Sequence, residues 1–180
     1  MIELLGIDVA AEVLAELAVP LAAAFRTQCR VRPDRLDVAH ARDRYRNQHH
    51  STAILQQMQP LARPGQRLLA VTTLDLYVPV LTFVFGEAQL AGPSAVVSMH
   101  RLRDELYGMP PNPDTLRDRL LKEAVHELGH TYGLRHCDDW RCVMTSSHAV
   151  ERLDIKTVAF CENCRLVVDR HATFSPAVAV

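Results

Sequence analysis

The sequence predicts a mixed chain of the α+β class, close to α/β, in which helices back a mixed sheet and an irregular C-terminal part follows. Apolar runs with strand character alternate with helical patterns through the first half of the chain. A loop dense in proline and glycine then precedes one long helical pattern, and four of the five cysteines lie beyond that helix. These observations predict a layered domain in which one helix carries the chemistry.

Strand and helix signals alternate in the N-terminal half. A helix rich in alanine and leucine is predicted over residues 11–29, where Pro20 marks a kink or break. A second helical pattern covers residues 40–61. The strands, predicted from apolar runs and alternation, cover residues 4–9, 31–36, 67–78, 80–85 and 94–102.

The longest predicted helix follows the breaker-rich loop at residues 108–113. Asn112 and Asp114 are both suitable N-caps for it. The helix should run to about Tyr132 and stop at Gly133, a residue suited to the left-handed position after a helix. The remaining predicted elements are a helical turn over residues 149–156 and a final helix over residues 161–173.

The composition limits the number of domains and the class of partner. Hydrophobic residues make up 48% of the 180-residue chain, which suits a single compact domain. The net charge of -1 lacks the basic excess typical of nucleic-acid-binding proteins. The N-terminus lacks a secretory signal, and no apolar run reaches the roughly 18 residues of a membrane span. We therefore expect a soluble cytoplasmic monomer without nucleic-acid or membrane partners.

The long helix carries the sequence His-Glu-Leu-Gly-His at residues 126–130. His126 and His130 are four positions apart, so on a helix they lie about 40° apart and both imidazoles can reach one ion. Glu127 is too close to the backbone of His126 to be an easy third ligand, and it can instead accept a proton from an attacking water. Apolar side chains occupy the opposite side, so we expect the histidines to face a cleft and Glu127 to be exposed.

His136 completes the pattern H-E-x-x-H-x-x-G-x-x-H, a strong indicator of a zinc peptidase. Gly133 ends the helix, and a sharp turn there can return His136 to the ion. Asp138 and Asp139 are alternative oxygen ligands, but His136 fits the pattern better. Three neutral imidazoles leave a fourth position open, which is typical of catalytic zinc sites.

The cysteines beyond the helix form two close pairs, Cys137 with Cys142 and Cys161 with Cys164. In a chain without a signal sequence, such pairs indicate a metal site more than disulfides. Four thiolates make a closed, structural zinc site, which would hold the adjacent His136 in place. The alternative interpretation is that the four residues are buried free thiols.

These motifs together resemble the archaemetzincins, a family in the metzincin clan of zinc metallopeptidases. The resemblance spans residues 126–164. The 16 residues between Met144 and Cys161 are one fewer than in the family's pattern. The resemblance rests on His126-Glu127-x-x-His130-x-x-Gly133-x-x-His136-Cys137, Cys142-x-Met144 and Cys161-x-x-Cys164.

The resemblance implies a twisted mixed sheet with backing helices, an active-site helix and an irregular zinc-stabilised C-terminal part. It implies that Met144 forms a tight turn beneath the catalytic zinc. The single peptidase domain, residues 1–180, would comprise the sheet and helices over 1–133 and the four-cysteine subdomain over 134–180. Residues 94–102 would take the place of the edge strand that lines the cleft and pairs with an extended peptide.

We therefore predict a zinc-dependent peptidase with one catalytic and one structural zinc ion, acting on a peptide or protein substrate with Glu127 as general base. An alternative is a zinc-stabilised module that binds peptides or proteins with little turnover. Binding alone needs no base, so the presence of Glu127 argues against that alternative. A zinc-ribbon nucleic-acid module is disfavoured by the net charge of -1.

Other histidines have weaker claims to a role. His148 lies close enough to Met144 in sequence to approach the cleft, and His100 could touch substrate from its predicted strand. A surface position is the simpler interpretation for both. His49 and His50 are adjacent and are expected to lie on a solvated helix face.

Overall fold

The computed structural model describes residues 1–172 and contains, within them, eight strands and five α-helices. In chain order these are β1 (Ile2–Ile7), α1 (Ala11–Phe25), β2 (Cys29–Val31), β3 (Arg42–Asp43), β4 (Gln48–His50), α2 (Ser51–Met58), β5 (Arg67–Thr72), β6 (Leu76–Tyr77), β7 (Gly86–Ala88), β8 (Ser94–Ser98), α3 (Pro113–Thr131), α4 (Val150–Ile155) and α5 (Glu162–Ala172).

Four parallel strands and one antiparallel edge strand form the main sheet, in the order β2-β1-β5-β8-β7. Parallel neighbours require crossover connections, so α1 joins β1 to β2, and the segment carrying α2 lies between β2 and β5. A smaller sheet has the order β3-β4-β6. The mixed sheet with helices packed against it confirms the predicted fold class.

The central strands are buried on both faces, as is usual for parallel strands covered by helices. In β1, Ile2 and Leu4 belong to the core that includes side chains of α1 and α3. Leu5 and Ile7 belong to the core on the opposite face, beside α2. The sheet therefore separates two apolar layers, and α3 lies on the same face as α1.

α3 begins and ends where its local sequence signals predict. The side chain of Asn112 accepts a hydrogen bond from the backbone N–H of Thr115 at 3.1 Å, and Pro113 occupies the first turn. Asn112, and not Asp114, is therefore the N-cap. At the other end, Gly133 has a φ of +87°, a left-handed conformation that glycine adopts at little cost.

Two predicted elements were wrong because tertiary pairing defines the strands that replace them. The predicted helix over residues 40–61 is limited to Ser51–Met58 and a short 3₁₀ turn, since β3 and β4 form an antiparallel pair immediately before it. Residues 80–85 were predicted as a strand but are mostly irregular. The strand begins at Gly86, where pairing with β8 starts.

The predicted edge strand over residues 94–102 lies inside the sheet. The strand itself, β8, has β5 on one side and β7 on the other, and all five of its residues are buried. The chain then forms a 3₁₀ turn at His100–Leu102. α3 packs against both β8 and β7. The strand that borders the cleft beside α3 is therefore β7.

Smaller differences concern the boundaries of elements. Pro20 lies inside α1 without ending it. The strand predicted over residues 67–78 is divided into β5 and β6, and the one predicted over 31–36 ends at Val31. α5 corresponds to the predicted last helix, whose final residue, Thr173, lies outside the described residues. Among residues 1–172, no helix combines the length and apolar character that crossing a membrane requires.

Candidate metal centres and active site

Three imidazoles converge where α3 ends. One ring nitrogen from each of His126, His130 and His136 lies within 4.8 Å of the others. His126 and His130 project from adjacent turns of α3, as their spacing predicts. Gly133 redirects the chain after the helix, with its N–H donating to the carbonyl of His130 at 2.9 Å. The turn returns His136 to the pair, so that its ring centroid lies 5.3 Å from that of His126.

The hydrogen bonds of the first two imidazoles define where their lone pairs point. Nδ1 of His126 donates to the carbonyl oxygen of Val143, and Nδ1 of His130 donates to that of Leu134, both at 2.8 Å. Because a carbonyl can only accept, each Nε2 carries a lone pair. These two Nε2 atoms are 3.1 Å apart, a repulsive arrangement without a cation between them. Zinc bonded to two imidazoles at about 2.0–2.1 Å each requires a similar separation.

The protonation states of the histidines suit a metal. Burial lowers the pKa of all three rings, and it lowers that of His126 well below the ordinary value. His126 is 4% exposed, whereas His136 reaches the surface. Neutral imidazoles are the form in which histidine binds metal ions. The arrangement can therefore hold one cation with a position open towards the cleft.

Glu127 is buried, which contradicts its expected exposed position. The side chain is 6% exposed because β7 packs directly over this face of α3. A Cβ atom added to Gly86 would lie 2.6 Å from Glu127 Cγ and 2.7 Å from the carbonyl oxygen of Val96. Only a glycine fits at this point of the edge strand. The need for glycine at this position is not identifiable from sequence, because the pattern does not reveal which strand covers α3.

The carboxyl group of Glu127 has no hydrogen-bond donor among residues 1–172 and lines the cleft beside the histidines. Burial and then the negative charge of Glu123 raise its pKa well above the ordinary value. A carboxyl group with a raised pKa and no partner is suited to receiving and returning a proton.

Met144 packs against Gly129 of α3, the residue before His130. It is fully buried, and its sulfur touches the position that a side chain at Gly129 would occupy. Its carbonyl oxygen accepts a hydrogen bond from the N–H of Cys137 at 3.0 Å, while that of Val143 binds His126. Residues 143 and 144 therefore contact both α3 and the loop that follows His136.

The four cysteines of the C-terminal part also converge. Their sulfur atoms lie within 4.8 Å of one another, and those of Cys137 and Cys161 are 3.7 Å apart. All four are free thiols. Tetrahedral zinc with Zn–S bonds of about 2.3 Å requires sulfur atoms roughly 3.8 Å apart, so the group fits a closed site. Burial raises the pKa of the Cys164 thiol, and four clustered thiolates need a cation to coexist.

A buried ion pair joins α3 to the residue that follows α4. Lys156 follows α4, and its Nζ lies 3.0 Å from Oε1 of Glu123, one turn before Glu127 on α3. The same Nζ donates to the carbonyl oxygen of Thr145 at 3.3 Å. Sequence patterns do not reveal this pair, because its members are 33 positions apart and belong to no motif. The pair links α3 to the loop that follows Met144.

The cleft beside the histidines has a volume of about 690 Å³ and runs along β7 and the segment before it. His148 lines the cleft near His136, whereas His100 does not line it and lies beside Asp75 and Arg103. A larger surface groove of about 960 Å³ lies beside the first turn of α1, but it contains neither ligand group. The cleft is therefore the only one of these cavities with metal-binding chemistry.

The structure also places the adjacent histidines and aspartates that the sequence singled out. His49 and His50 lie in β4 and not on a helix face, because this segment pairs with β3 and β6. Asp139 accepts a hydrogen bond from the N–H of Arg141, and neither it nor Asp138 belongs to the histidine group.

A change at Gly86 should displace the side chain of Glu127. We expect Gly86→Ala to lower kcat/KM by about 10- to 100-fold, because a displacement near 1 Å of a reacting group has costs of this order. Zinc content should be unchanged, since the three atoms nearest the new methyl group belong to Glu127 and Val96, neither of which is a proposed metal ligand. In a double-mutant cycle with Glu127→Ala, which removes both Cγ and Cδ from the contact, Gly86→Ala should cause little further loss. Independent, multiplicative losses would contradict the contact.

Comparison with known proteins gives consistent matches. The model of Peptidase family M54 matches residues 38–170. The archaemetzincin of Methanocaldococcus jannaschii is 46% identical over 119 residues, 66% of this chain and 65% of that protein. The archaemetzincin of Pyrococcus furiosus is 43% identical over 128 residues, 70% of this chain and 67% of that protein. The aligned region thus spans about two thirds of the length of these relatives.

Solved structures share the fold. A zinc-dependent peptidase from Methanocorpusculum labreanum aligns with a TM-score of 0.83 at 30% identity, covering 93% of this chain and 100% of that one. The archaemetzincin of Archaeoglobus fulgidus, solved in complex with malonate, aligns with a TM-score of 0.80 at 36% identity, covering 92% and 98%.

The fold and the histidine group with its neighbouring glutamate define the class of zinc metallopeptidases, which are hydrolases. Within that class, the chain belongs to Peptidase family M54. The resemblance to the archaemetzincins is confirmed.

Proposed function

We propose that this chain is a zinc-dependent peptidase in which His126, His130 and His136 bind the catalytic zinc and Glu127 is the general base. The observation that carries the proposal is the pair of facing Nε2 lone pairs, 3.1 Å apart, at the end of the cleft that Glu127 lines. When bound, zinc supplies a Lewis acid that polarises the scissile carbonyl and lowers the pKa of the attacking water to about 7.

Glu127 performs the proton transfers. Its carboxylate accepts a proton from the water as the water oxygen bonds to the carbonyl carbon. It then donates that proton to the amide nitrogen as the C–N bond breaks, so the products are a carboxylic acid and an amine. The absence of a hydrogen-bond donor to this carboxyl group within residues 1–172 leaves both oxygens available for these steps.

The cleft accommodates an extended peptide. β7 is an edge strand, so its outer backbone groups can pair with a substrate segment running antiparallel to it. The segment before β7 contributes apolar side chains, including Phe83 and Phe85, whose ring centroids are 5.3 Å apart. This arrangement supports a peptide or protein as substrate.

We also propose a second, structural zinc held by Cys137, Cys142, Cys161 and Cys164, and a turn role for Met144. The two proposed metal sites share a loop because Cys137 follows His136. In this interpretation, residues 1–133 and 134–180 form one peptidase domain, joined by the pair of Lys156 with Glu123. We further propose a cytoplasmic monomer that does not bind nucleic acid, in keeping with the net charge of -1.

Peptide-library digestion with mass-spectrometric readout tests the activity. Protein with confirmed zinc should cleave a subset of peptides, and Glu127→Ala protein should not. If the zinc-loaded wild type cleaves nothing yet binds some of the peptides, the chain is a binding module and the proposed function is wrong.

We expect two zinc ions per chain with different lability. A mild chelator should remove the ion of the three-histidine site first, because that site has an open position, while the four-cysteine ion stays until the fold is lost. Elemental analysis and peptidase activity should be followed together during chelation. Activity should fall with loss of the first ion. A single zinc in carefully purified protein, or equal loss of both ions, would count against two sites of different kind.

A further inference from the structure

The cleft contains one permanently positive side chain. Among residues 1–172, Arg135 is the only lysine or arginine that lines it. Arg135 is exposed, and no described residue accepts a hydrogen bond or forms an ion pair with it. Arg119, by contrast, is neutralised by Asp104 and Asp154. The guanidinium of Arg135 is thus free to bind an anion in the cleft.

None of the three acidic side chains that line the cleft, Glu87, Glu123 and Glu127, forms an ion pair with this guanidinium. Glu123 is paired with Lys156 at 3.0 Å. The carboxylate of Glu87 accepts hydrogen bonds from the hydroxyls of Ser51 and Thr52 at the start of α2. These partners lie on the opposite face of the sheet from α3. Arg135 therefore has no carboxylate partner among the described residues that line the cleft.

The position of Arg135 along the cleft follows from the turn after α3. The N–H of Ala91 donates to the carbonyl of His130 at 2.9 Å, so the chain leaving β7 lies against the end of α3. Arg135 follows this end and lines the cleft together with Leu90, just beyond β7. Residues 81–85, which are apolar except for Thr82, precede β7 and line the cleft beside the start of that strand. The charge thus lies at the end of the cleft where β7 ends.

We propose that Arg135 selects peptides with an aspartate or glutamate on the N-terminal side of the scissile bond. This inference rests on the proposed peptidase function. A substrate antiparallel to β7 places its N-terminal segment beside the C-terminal end of that strand, where Arg135 lies. A guanidinium binds a carboxylate through two parallel N–H···O hydrogen bonds, which a glutamine cannot reproduce with the same charge.

Paired peptides that differ only by Glu or Gln test the selection. The pair is made at each of the three positions before the scissile bond and, as an internal control, at each of the three after it. For the wild type, kcat/KM should be about tenfold higher for the glutamate peptide than for the glutamine peptide at one of the three positions before the scissile bond. A charge-assisted hydrogen bond at an exposed site gives a preference of this size. Added salt should reduce this preference.

Variants of Arg135 test whether this side chain causes the preference for glutamate. Arg135→Ala should abolish the preference, and Arg135→Glu should replace it with a preference for lysine at the same position. Arg152→Glu is the matched control, because Arg152 is also exposed and lies outside the cleft. It should keep the wild-type preference. Zinc content is measured for every variant, since Arg135 precedes His136.

The outcomes separate this inference from the proposed function. If the wild type cleaves the Glu and Gln peptides at equal rates, the proposed role of Arg135 is wrong, but the proposed peptidase function stands. The same holds if the preference for glutamate persists in Arg135→Glu protein with full zinc. If no peptide is cleaved, the proposed function fails, and binding of the same peptide pairs to zinc-loaded protein decides the inference by fluorescence anisotropy. Equal Kd values for every pair would then refute it.

Discussion

Replacing Glu127 with alanine should lower kcat by about 100- to 10,000-fold, the usual cost of losing a general base. Both zinc ions should remain, because Glu127 is not a ligand in the proposed site. The fold should also remain, since alanine favours helices and a buried carboxyl group without a hydrogen-bond partner contributes no stability of its own. The loss should therefore appear in turnover and not in the thermal unfolding temperature.

Three further variants make this test specific. Glu127→Gln keeps the shape of the side chain beside Gly86 but cannot accept the proton, so it should lose as much activity as the alanine variant. Glu127→Asp keeps the carboxylate at a greater distance and should retain more. His130→Ala should lose the metal together with the activity. Steady-state kinetics and zinc content are measured for each protein. Cleavage by Glu127→Ala at the wild-type rate would refute the mechanism, whatever the zinc content.

Cys164→Ser should destabilise the fold by about 3–5 kcal/mol, as expected when a structural metal site is lost. Cys164 is buried at the start of α5, and its group joins that helix to the loop containing Cys137. For a domain of this size the loss corresponds to a fall in the unfolding temperature of roughly 10 °C. Because Cys137 adjoins His136, activity should fall as well.

Cys29→Ser provides the matched control. Cys29 is a partly buried free thiol in β2, and it belongs to neither ligand group. Burial raises its pKa to about 11, so it remains a neutral thiol at pH 7. The variant should keep two zinc ions, the wild-type unfolding temperature and full activity. A Cys164→Ser protein with full metal and an unchanged unfolding temperature would show that the four cysteines hold no structural ion.

The sequence by itself determined the features that depend on short stretches of chain. The bounds of α3 follow from Asn112 and Pro113 at its start and Gly133 at its end, since caps act on the nearest backbone groups. The four-residue spacing determined that His126 and His130 share one helix face. The family was identifiable for the same reason, because its motif is nearly contiguous.

Only the tertiary structure decided which strand borders the cleft. All five residues of Ser94–Ser98 are buried. A buried strand has the same apolar pattern whether it lies inside the sheet or at an edge that other segments cover. The edge strand, Gly86–Ala88, is too short to carry a pattern of its own. Strand order depends on pairing between distant segments, which local periodicity does not encode.

The environment of Glu127 was decided in the same way. Its position on the helical wheel predicted exposure, but the packing of Gly86 against its side chain buries it. The pair of Lys156 with Glu123 likewise depends on contact between segments far apart in sequence. Sequence patterns determined which groups α3 carries, whereas burial, the free charge of Arg135 and the raised pKa of Glu127 arise from what the fold places around them. These properties depend on the local dielectric and on neighbouring charges, which exist only once the chain has folded.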